Sequence, residues 1–195
     1  QECAELRTAI LRGEATTSMR LMQMAGAAAQ RCNVAIYNCA FVAITDIEHF
    51  AEGLYILMQG TGLGFSVESE FVGQLPRIKR QKKDQQPETY VVQDSTEGWC
   101  NSLTAGLTAW FDGRDIEYDY SEVRPEGARL HTKGGTASGP GPLRRLHEFA
   151  RKKILSRQKS RLLPIDVHDI MCLIGDIVQV GGVRRAACIS LSDLD

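Results

Sequence analysis

The stretch from His131 to Leu143 has the residue types of an anion-binding loop. It contains four glycines, two prolines and no acidic residue. Glycine lets backbone N–H groups approach a ligand closely, and successive N–H groups in such turns form a concave nest for phosphate. A flexible surface linker is the alternative interpretation. The placement of Lys133 between Thr132 and two glycines favours contact with phosphate or a nucleotide.

Two shorter glycine segments have a similar composition. Gly181 to Ala187 joins two glycines to Arg184 and Arg185, whose guanidinium groups can pair with phosphate or stack on a base. A solvated basic turn is an equal alternative for this segment. Gly60 to Gly64 places three alternating glycines between a predicted helix and a predicted strand, which permits close backbone approach to a ligand. Its order does not match a dinucleotide-binding fingerprint.

A thiol and an amide interrupt a near-continuous apolar run. Val34 to Ile44 is rich in β-branched and aromatic residues, which predicts a strand buried on both faces of an α/β sheet. Asn38 and Cys39 lie inside this run, and buried polar groups need partners or a cavity with a function. Asp46 follows the run and predicts the cap of a helix over residues 47–59.

The elements that must position these residues follow from hydrophobic periodicity and capping residues. The methionines of the second helix are interpreted as core residues, and the basic segment from Ile78 to Glu88 as a solvated loop rather than a nucleic-acid patch. The predicted helices are Glu2–Arg12, Met19–Ala29 with a cap at residues 16–18, Gly98–Phe111, Leu143–Leu155 and Pro164–Val180, and a further strand spans Ile116–Tyr120.

The overall composition excludes several classes of protein. The chain has 195 residues, 43% of them hydrophobic, and a net charge of −1, so no bulk attraction to nucleic acid or to an acidic membrane is implied. No run reaches the roughly 18 apolar residues of a membrane span, and no signal peptide is present at the start. The six cysteines form no CxxC pair. We therefore expect a reducing, cytoplasmic compartment, no bound metal and mostly buried cysteines.

Six segments, taken together, resemble the catalytic chain of the adenosylcobalamin-dependent ribonucleoside-triphosphate reductases. Each segment alone is a weak signal, but all six occur in the family's order, and the resemblance covers most of the chain from Ser18 onward. The segments are Tyr37–Ile44, Gly60–Val67, Asp94–Trp99, Ser121–Ala128, Gly134–Leu143 and Gly181–Ala186.

The resemblance implies a fold and a catalytic residue. The chain would be a single piece, residues 1–195 without an internal boundary, of a ten-stranded α/β barrel that holds a thiyl-radical site and is incomplete at both ends. Cys39 matches the family cysteine that, with a partner from a later strand, delivers reducing equivalents to the ribose 2′-carbon. A cysteine pair supplies the two electrons and two protons by forming a disulfide. The resemblance also places Asn38 beside the substrate, and Gly62 and Gly64 in a turn that approaches the substrate ribose.

The resemblance further implies allosteric control by a deoxynucleotide effector. Asp46 lies where related reductases begin the helix that contacts this effector. In the family, the second of two specificity loops lies between the effector and the substrate base, so one element responds to both ligands. The residues carried over are Lys133, Gly134, Gly135, Thr136 and Ser138 in the first loop (His131–Gly141), and Gly181, Gly182, Arg184 and Arg185 in the second (Gly181–Ala187).

The implied reaction is the reduction of ribonucleoside triphosphates to deoxyribonucleotides for DNA synthesis. It would use adenosylcobalamin, bound mostly by segments outside this chain, and a thioredoxin-like reductant. We interpret the chain as an excerpt, with the radical-bearing cysteine beyond Asp195 and Cys188 in a structural role. The link from Gly73 to Asp94 is short and polar, so we expect the segment that imitates a dimer contact in monomeric members to be reduced, which leaves monomer and dimer both open. The alternative function is a nucleotide-binding fragment without catalytic activity of its own.

Overall fold

The computed structural model describes residues 2–82, 85–129, 136–180 and 187–194 of the chain. These residues divide into two compact units, one up to Asn38 and one from Cys39 onward. A single piece of a larger domain, without an internal boundary, remains a prediction. Within the described ranges, no helix combines the length and the apolar character needed to cross a membrane.

The first unit consists of short helices. The predicted helix over Glu2–Arg12 is confirmed, and it ends before Gly13, whose φ of 71° is incompatible with continuing the helix. Ser18 caps the next helix, as predicted, because its Oγ accepts a hydrogen bond from the Leu21 N–H at 3.1 Å. The elements are α1 Glu2–Leu11, α2 Met19–Met24, α3 Ala27–Arg31 and a 3-10 helix, Asn33–Ile36.

Two predictions for this unit are wrong. The predicted helix Met19–Ala29 is interrupted at Gly26, whose φ of 89° lies in the left-handed region, so two short helices replace one. The methionines of α2 are not core residues, since Met19 is 83% exposed and Met22 is 55% exposed. High helix propensity predicted the helical state of these residues but not which face they bury.

The apolar run Val34–Ile44 is not one strand buried on both faces. Its first residues lie in the 3-10 helix, and the strand begins only at Cys39. Within the strand Val42 is buried, whereas Phe41 is 58% exposed, so the strand packs on one face. A continuous apolar run does not by itself distinguish one buried face from two.

The second unit contains a three-stranded parallel sheet with the strand order β1-β2-β5. Helices α4 and α8 pack against the face on which Leu63 and Phe65 of β2 are 1% exposed. Gly53 lets α4 approach closely, because an added Cβ would lie 2.8 Å from Met171 Cε of α8. The elements are β1 Cys39–Ala43, α4 Glu48–Met58, β2 Gly62–Ser66, α8 Pro164–Val180 and β5 Cys188–Leu191.

A second parallel pair, β3 and β4, is connected by α6. Ser95 caps α6 by accepting a hydrogen bond from the Gly98 N–H at 2.9 Å. The predicted apolar spacing of this helix is confirmed, since Leu103, Leu107 and Trp110 are buried, and the helix contacts both α4 and α7. The remaining elements are α5 Ser69–Val72, β3 Glu88–Val91, α6 Thr96–Phe111, β4 Ile116–Asp119 and α7 Gly141–Ser156.

The predicted α/β class is confirmed, whereas the expectation of mostly buried cysteines is wrong. Both described sheets are parallel and are connected through helices, as in α/β proteins. The ten-stranded barrel remains a prediction. Only Cys100 is a buried cysteine in the described part of the chain, and its burial raises the pKa of the thiol to about 12. The exposed cysteines are Cys3, Cys39, Cys172 and Cys188.

Replacing Gly106 with alanine should destabilise the second unit. A Cβ at this position would overlap Tyr118 Oη and lie 2.8 Å from the Trp110 ring. Overpacking of this kind costs about 1–3 kcal/mol, which urea unfolding would measure as a lower free energy of unfolding. Gly141→Ala is the matched control, because an added Cβ there would have no described heavy atom within 4 Å. Equal stability of the two variants would contradict this packing.

Candidate functional site

One face of the three-stranded sheet carries Cys39 beside two glycines. Cys39 pairs in register with Gly62, and Phe41 pairs with Gly64. Gly64 also pairs with Ile189 of β5. Paired residues share a face of a sheet and side chains alternate along each strand, so these five residues lie on the side away from α4 and α8. We term this surface the thiol face.

The thiol face is exposed and mostly apolar. The thiol of Cys39 is exposed, and Phe41 and Ile189 are 58% and 64% exposed. Gly64 lies between the latter two, because an added Cβ would lie 3.3 Å from Phe41 and 3.4 Å from Ile189. The glycine thus leaves a groove in which a ligand can reach the backbone close to a thiol. Asn38 belongs to the first unit, and its place beside a substrate remains a prediction.

Asp46 lies at the opposite end of β1 from Cys39. The predicted cap is confirmed, since Asp46 Oδ1 accepts a hydrogen bond from the Glu48 N–H at 3.1 Å. His49 Nδ1 adds to the cap by accepting from the N–H groups of Thr45 and Asp46, both at 3.2 Å. The sequence therefore predicted the structural role of Asp46 correctly, but the structure does not bring this carboxylate to the thiol face.

Most of the predicted loop residues fall outside the described residues. Thr136 is described and bridges to Arg129 in an antiparallel pair, next to a hydrogen bond from the Ala137 N–H to Ala128 O at 2.7 Å. Ser138 Oγ donates to the neighbouring Gly139 carbonyl at 3.5 Å. The end of the first glycine stretch is thus fixed just before α7. The residues outside are Lys133, Gly134, Gly135, Gly181, Gly182, Arg184 and Arg185.

An ion-pair cluster fixes the start of α8, the helix that precedes the second glycine segment. Asp166 is 3% exposed and accepts hydrogen bonds from Arg157 Nε at 2.7 Å and from the Leu163 N–H at 3.1 Å. Lys153 Nζ lies 3.5 Å from the same carboxylate. Burial alone would raise the pKa of Asp166, but Arg157, the Leu163 N–H and Lys153 hold it below its usual range.

The chain is similar to known proteins over most of its length. A sequence model described as the insertion domain of B12-dependent ribonucleotide reductase matches residues 64–151. The chain is 37% identical over 164 residues to the adenosylcobalamin-dependent ribonucleoside-triphosphate reductase of Euglena gracilis, a match that covers 83% of this chain and 22% of that protein. It is 33% identical over 177 residues to the probable enzyme of the same name from Dictyostelium discoideum, covering 82% and 23%.

The fold is similar to that of a solved structure as well. A crystal structure of a B12-dependent (class II) ribonucleotide reductase aligns with 81% of this chain and 29% of that chain, with a TM-score of 0.64 and 26% identity. The chain belongs to the B12-dependent ribonucleotide reductase family. It spans less than a quarter of the length of the two curated relatives, 22% of one and 23% of the other.

The insertion-domain match corrects an expectation about this chain. A short polar link from Gly73 to Asp94 predicted that the inserted segment is reduced, yet the match extends over residues 64–151. That range contains both strands of the second sheet and the whole of α6. The length of the link was misleading because the match continues beyond it into α7.

A buried histidine of α7, His147, connects this helix to α6 and to the end of β4. The His147 ring stacks on Tyr118, with 3.9 Å between ring centroids. Ser102 Oγ donates to Trp99 O at 2.8 Å, so it accepts from His147 Nε2 at 3.2 Å, and Tyr120 Oη donates to Nδ1 at 2.8 Å. Burial lowers the pKa of His147 to about 3 and raises the pKa of both tyrosines. The sequence did not mark this histidine as buried or functional. Only its tyrosine partners belonged to a recognisable pattern, the strand-like alternation of residues 116–120.

A cavity of about 300 Å³ adjoins this cluster and shares no lining residue with the thiol face. The Arg144 guanidinium lies over the Tyr120 ring at 5.0 Å from its centroid, an arrangement that favours a cation on the aromatic face. The charged side chains that line the cavity are two glutamates and two arginines, so their charges cancel. The lining residues are Trp110, Ile116, Glu117, Tyr118, Tyr120, Arg144, His147, Glu148 and Arg151.

We predict that His147 makes the fold sensitive to acid. Its pKa is lowered from 6.5 to about 3 on folding, so the unfolded chain takes up the proton first. The stability that the neutral His147 ring contributes to the folded state is complete above pH 6.5 and is lost as the pH falls toward 3. The free energy of unfolding then changes by up to about 1.4 kcal/mol per pH unit.

Urea unfolding at a series of pH values measures this effect. His147→Gln, whose side chain does not titrate, should flatten the dependence on pH over that range. An identical slope in His147→Gln and the unchanged chain would contradict the assignment.

Proposed function

We propose that this chain supplies part of the catalytic barrel of an adenosylcobalamin-dependent ribonucleoside-triphosphate reductase, which forms 2′-deoxyribonucleotides by thiyl-radical chemistry. The observation that carries the proposal is the thiol face, where an exposed cysteine pairs in register with a glycine on the side of the sheet away from the helices. In an α/β barrel the helices form the outer ring, so this side would face the interior. The relatives' names support the substrate class.

Cys39 is the thiol that we assign to reduction of the ribose 2′-carbon. The replaced hydroxyl leaves as water, and two thiols provide the two electrons and two protons as they become a disulfide. Cys39 has the exposure that this role needs. Cys188 is not its partner in this proposal, because Cys188 pairs with Leu63 and lies on the helix-facing side of the sheet. The partner is assigned to a later strand of the barrel.

The neighbouring glycines are assigned to substrate positioning. Gly62 lies directly opposite Cys39, and a side chain at Gly64 would narrow the groove between Phe41 and Ile189. A ribose placed against this backbone would have its 2′-carbon near the thiol, with apolar side chains flanking it. Asn38 is assigned to the same substrate from its position next to Cys39 in the sequence.

The two glycine segments are assigned to specificity loops that respond to a deoxynucleotide effector. The N-terminus of α7 directly follows the first segment, and a helix N-terminus favours phosphate. The second segment directly follows α8, whose start is fixed by the Asp166 cluster. The residues assigned to the effector are Asp46, Lys133, Gly134, Gly135, Thr136, Ser138, Gly181, Gly182, Arg184 and Arg185.

A monomeric reductase is the assembly that the helix packing supports. α6 lies inside the insertion-domain match and contacts both α4 and α7 within one chain. In this proposal the insertion replaces the helices that a partner subunit would bring to the effector site.

The cofactor is assigned mainly to other segments of the reductase. Adenosylcobalamin, when bound, supplies the radical that starts the reaction. Phe41, Ile189 and Leu191 are exposed on the side of the sheet that holds Cys39, and they would fit contact with the flat ring faces of the cofactor, whose amide and phosphate groups would need polar partners from other segments. The described residues contain no group of three or more His, Cys, Asp or Glu side chains that could hold a metal ion. A thioredoxin-like dithiol of the cytoplasm is assigned to reduction of the disulfide after each turnover.

Cys39→Ser in the complete reductase should abolish repeated turnover. We expect adenosylcobalamin-dependent reduction of a ribonucleoside triphosphate, assayed with a dithiol, to fall by about 100-fold or more, because each cycle needs the thiol pair. Cys3→Ser is the matched control, since this exposed cysteine lies on α1 and should leave turnover unchanged. Undiminished multiple turnover by Cys39→Ser would refute the role of this thiol.

The alternative function for the chain on its own is nucleotide binding without catalysis. It is favoured by the length of the chain, which spans 22% of the Euglena relative. Deoxynucleotide formation by these 195 residues alone would exclude this alternative. Nucleotide binding without product would support it.

A further inference from the structure

Two cysteines on the helix-covered side of the sheet are not used by the proposed reaction. Cys172 is exposed on α8, and its Sγ lies 3.4 Å from His168 Nε2. The other ring nitrogen of His168, Nδ1, lies 3.1 Å from Ser190 Oγ of β5. Nδ1 can donate to the hydroxyl while Nε2 accepts the thiol proton, and in this tautomer the imidazole is a base for Cys172.

The second thiol, Cys188, faces the same helix. Its register partner Leu63 is buried under α4 and α8, so the Cys188 side chain also lies on the helix side. A Cβ added to Gly175 would lie 3.0 Å from Cys188 Sγ. Gly175 lies three residues after Cys172, and residues at this spacing are neighbours on one helix face. The missing side chain at Gly175 thus leaves room for a thiol opposite Cys172.

The charge of one thiol acts on the other. Burial raises the pKa of Cys188, and the neighbouring Cys172 raises it further. This effect agrees with the close approach of α8 and β5 at Gly175. Burial and the nearby Asp169 also raise the pKa of Cys172. Cys172 nevertheless has His168 Nε2 at 3.4 Å to take its proton, so it is the better placed of the two to react first with an external reagent.

We propose that Cys172 and Cys188 are a redox-active pair that a low-molecular-weight disulfide oxidises to an intramolecular disulfide linking α8 to β5. The bond would close a ring of chain from residue 172 to residue 188. That ring contains residues 181–187, the second specificity loop of the proposed function. Formation of the bond itself does not depend on that function.

The reaction balances as two successive thiol–disulfide exchanges. The Cys172 thiol gives its proton to His168 and attacks the reagent disulfide, which forms a mixed disulfide and releases one reagent thiolate. The Cys188 thiol then gives its proton to the released reagent thiolate and attacks Cys172 Sγ, which breaks the mixed disulfide and releases the second reagent thiolate. This second thiolate takes up the proton held by His168. The two protein thiols lose two electrons and two protons, and the reagent disulfide gains them as two thiols.

Oxidised glutathione added to the folded chain tests the proposal. The chain should lose two titratable thiols and two hydrogen atoms, and protease digestion followed by mass spectrometry should recover one peptide that contains Cys172 linked to Cys188. Cys172→Ser and Cys188→Ser should each prevent formation of this peptide. Cys3→Ser is the matched control, an exposed cysteine of the first unit whose loss should leave the linked peptide unchanged.

The role of His168 has a separate readout. His168→Gln should slow formation of the linked peptide by about tenfold or more, because the general base is removed. An unchanged rate in this variant would refute the part assigned to His168. Absence of the linked peptide from the folded, oxidised chain, or preferential pairing of either cysteine with another one, would overturn the proposal. Reductase activity enters none of these measurements, so they fail or succeed independently of the proposed function.

Discussion

The site depends on one-sided packing of a small parallel sheet. β2 is the middle strand of the described sheet, and its side chains alternate between a buried surface under α4 and α8 and a surface that carries Gly62, Gly64 and, at its end, Ser66. The apolar side chains of Leu63 and Phe65 pack against the helices, while Gly62 and Gly64 carry no side chain that would fill the space on the other side of the sheet. A shift of register by one residue would exchange these two surfaces. Burial of the apolar residues of β2 therefore also determines that the Cys39 thiol stays exposed.

The second sheet, β3 and β4, is attached to this sheet through helices. α6 contacts α4 on one side and α7 on the other, so it links the element after β1 to the element after the first glycine stretch. The attachment at α7 is largely aromatic, with His147 held neutral between two tyrosines and a serine. A rigid joint of this kind would suit the proposed specificity loop that precedes α7, because ligand-binding sites need positioned support.

The sequence predicted the long amphipathic elements well because their information is local. The spacing of Leu103, Leu107 and Trp110 was sufficient for α6, and Asp46 was recognised as a cap from its own chemistry. The run Val34–Ile44 was misassigned, because an apolar run has the same composition whether one face is buried or two. The break at Gly26 was also missed, since glycine in an alanine-rich segment is only a weak sign of an interruption.

Contacts between distant segments account for most of what the sequence could not show. His147 forms its hydrogen bonds with residues 27 and 45 positions away, and no local pattern marks it as buried. The exposure of four cysteines depended likewise on tertiary packing, which composition does not contain. The residue pattern marked Cys39, Gly62 and Gly64 as candidates, and the family resemblance gave them roles. The parallel register then brought them together on one face.

The most direct test of this account is the alkylation rate of Cys39 in the complete reductase, measured by mass spectrometry with and without a ribonucleoside triphosphate. If the thiol face receives the substrate, bound nucleotide should slow alkylation of Cys39 and leave that of the exposed Cys3 unchanged. If Cys39 is alkylated at the same rate when the nucleotide is saturating, the substrate lies elsewhere and the central claim is wrong.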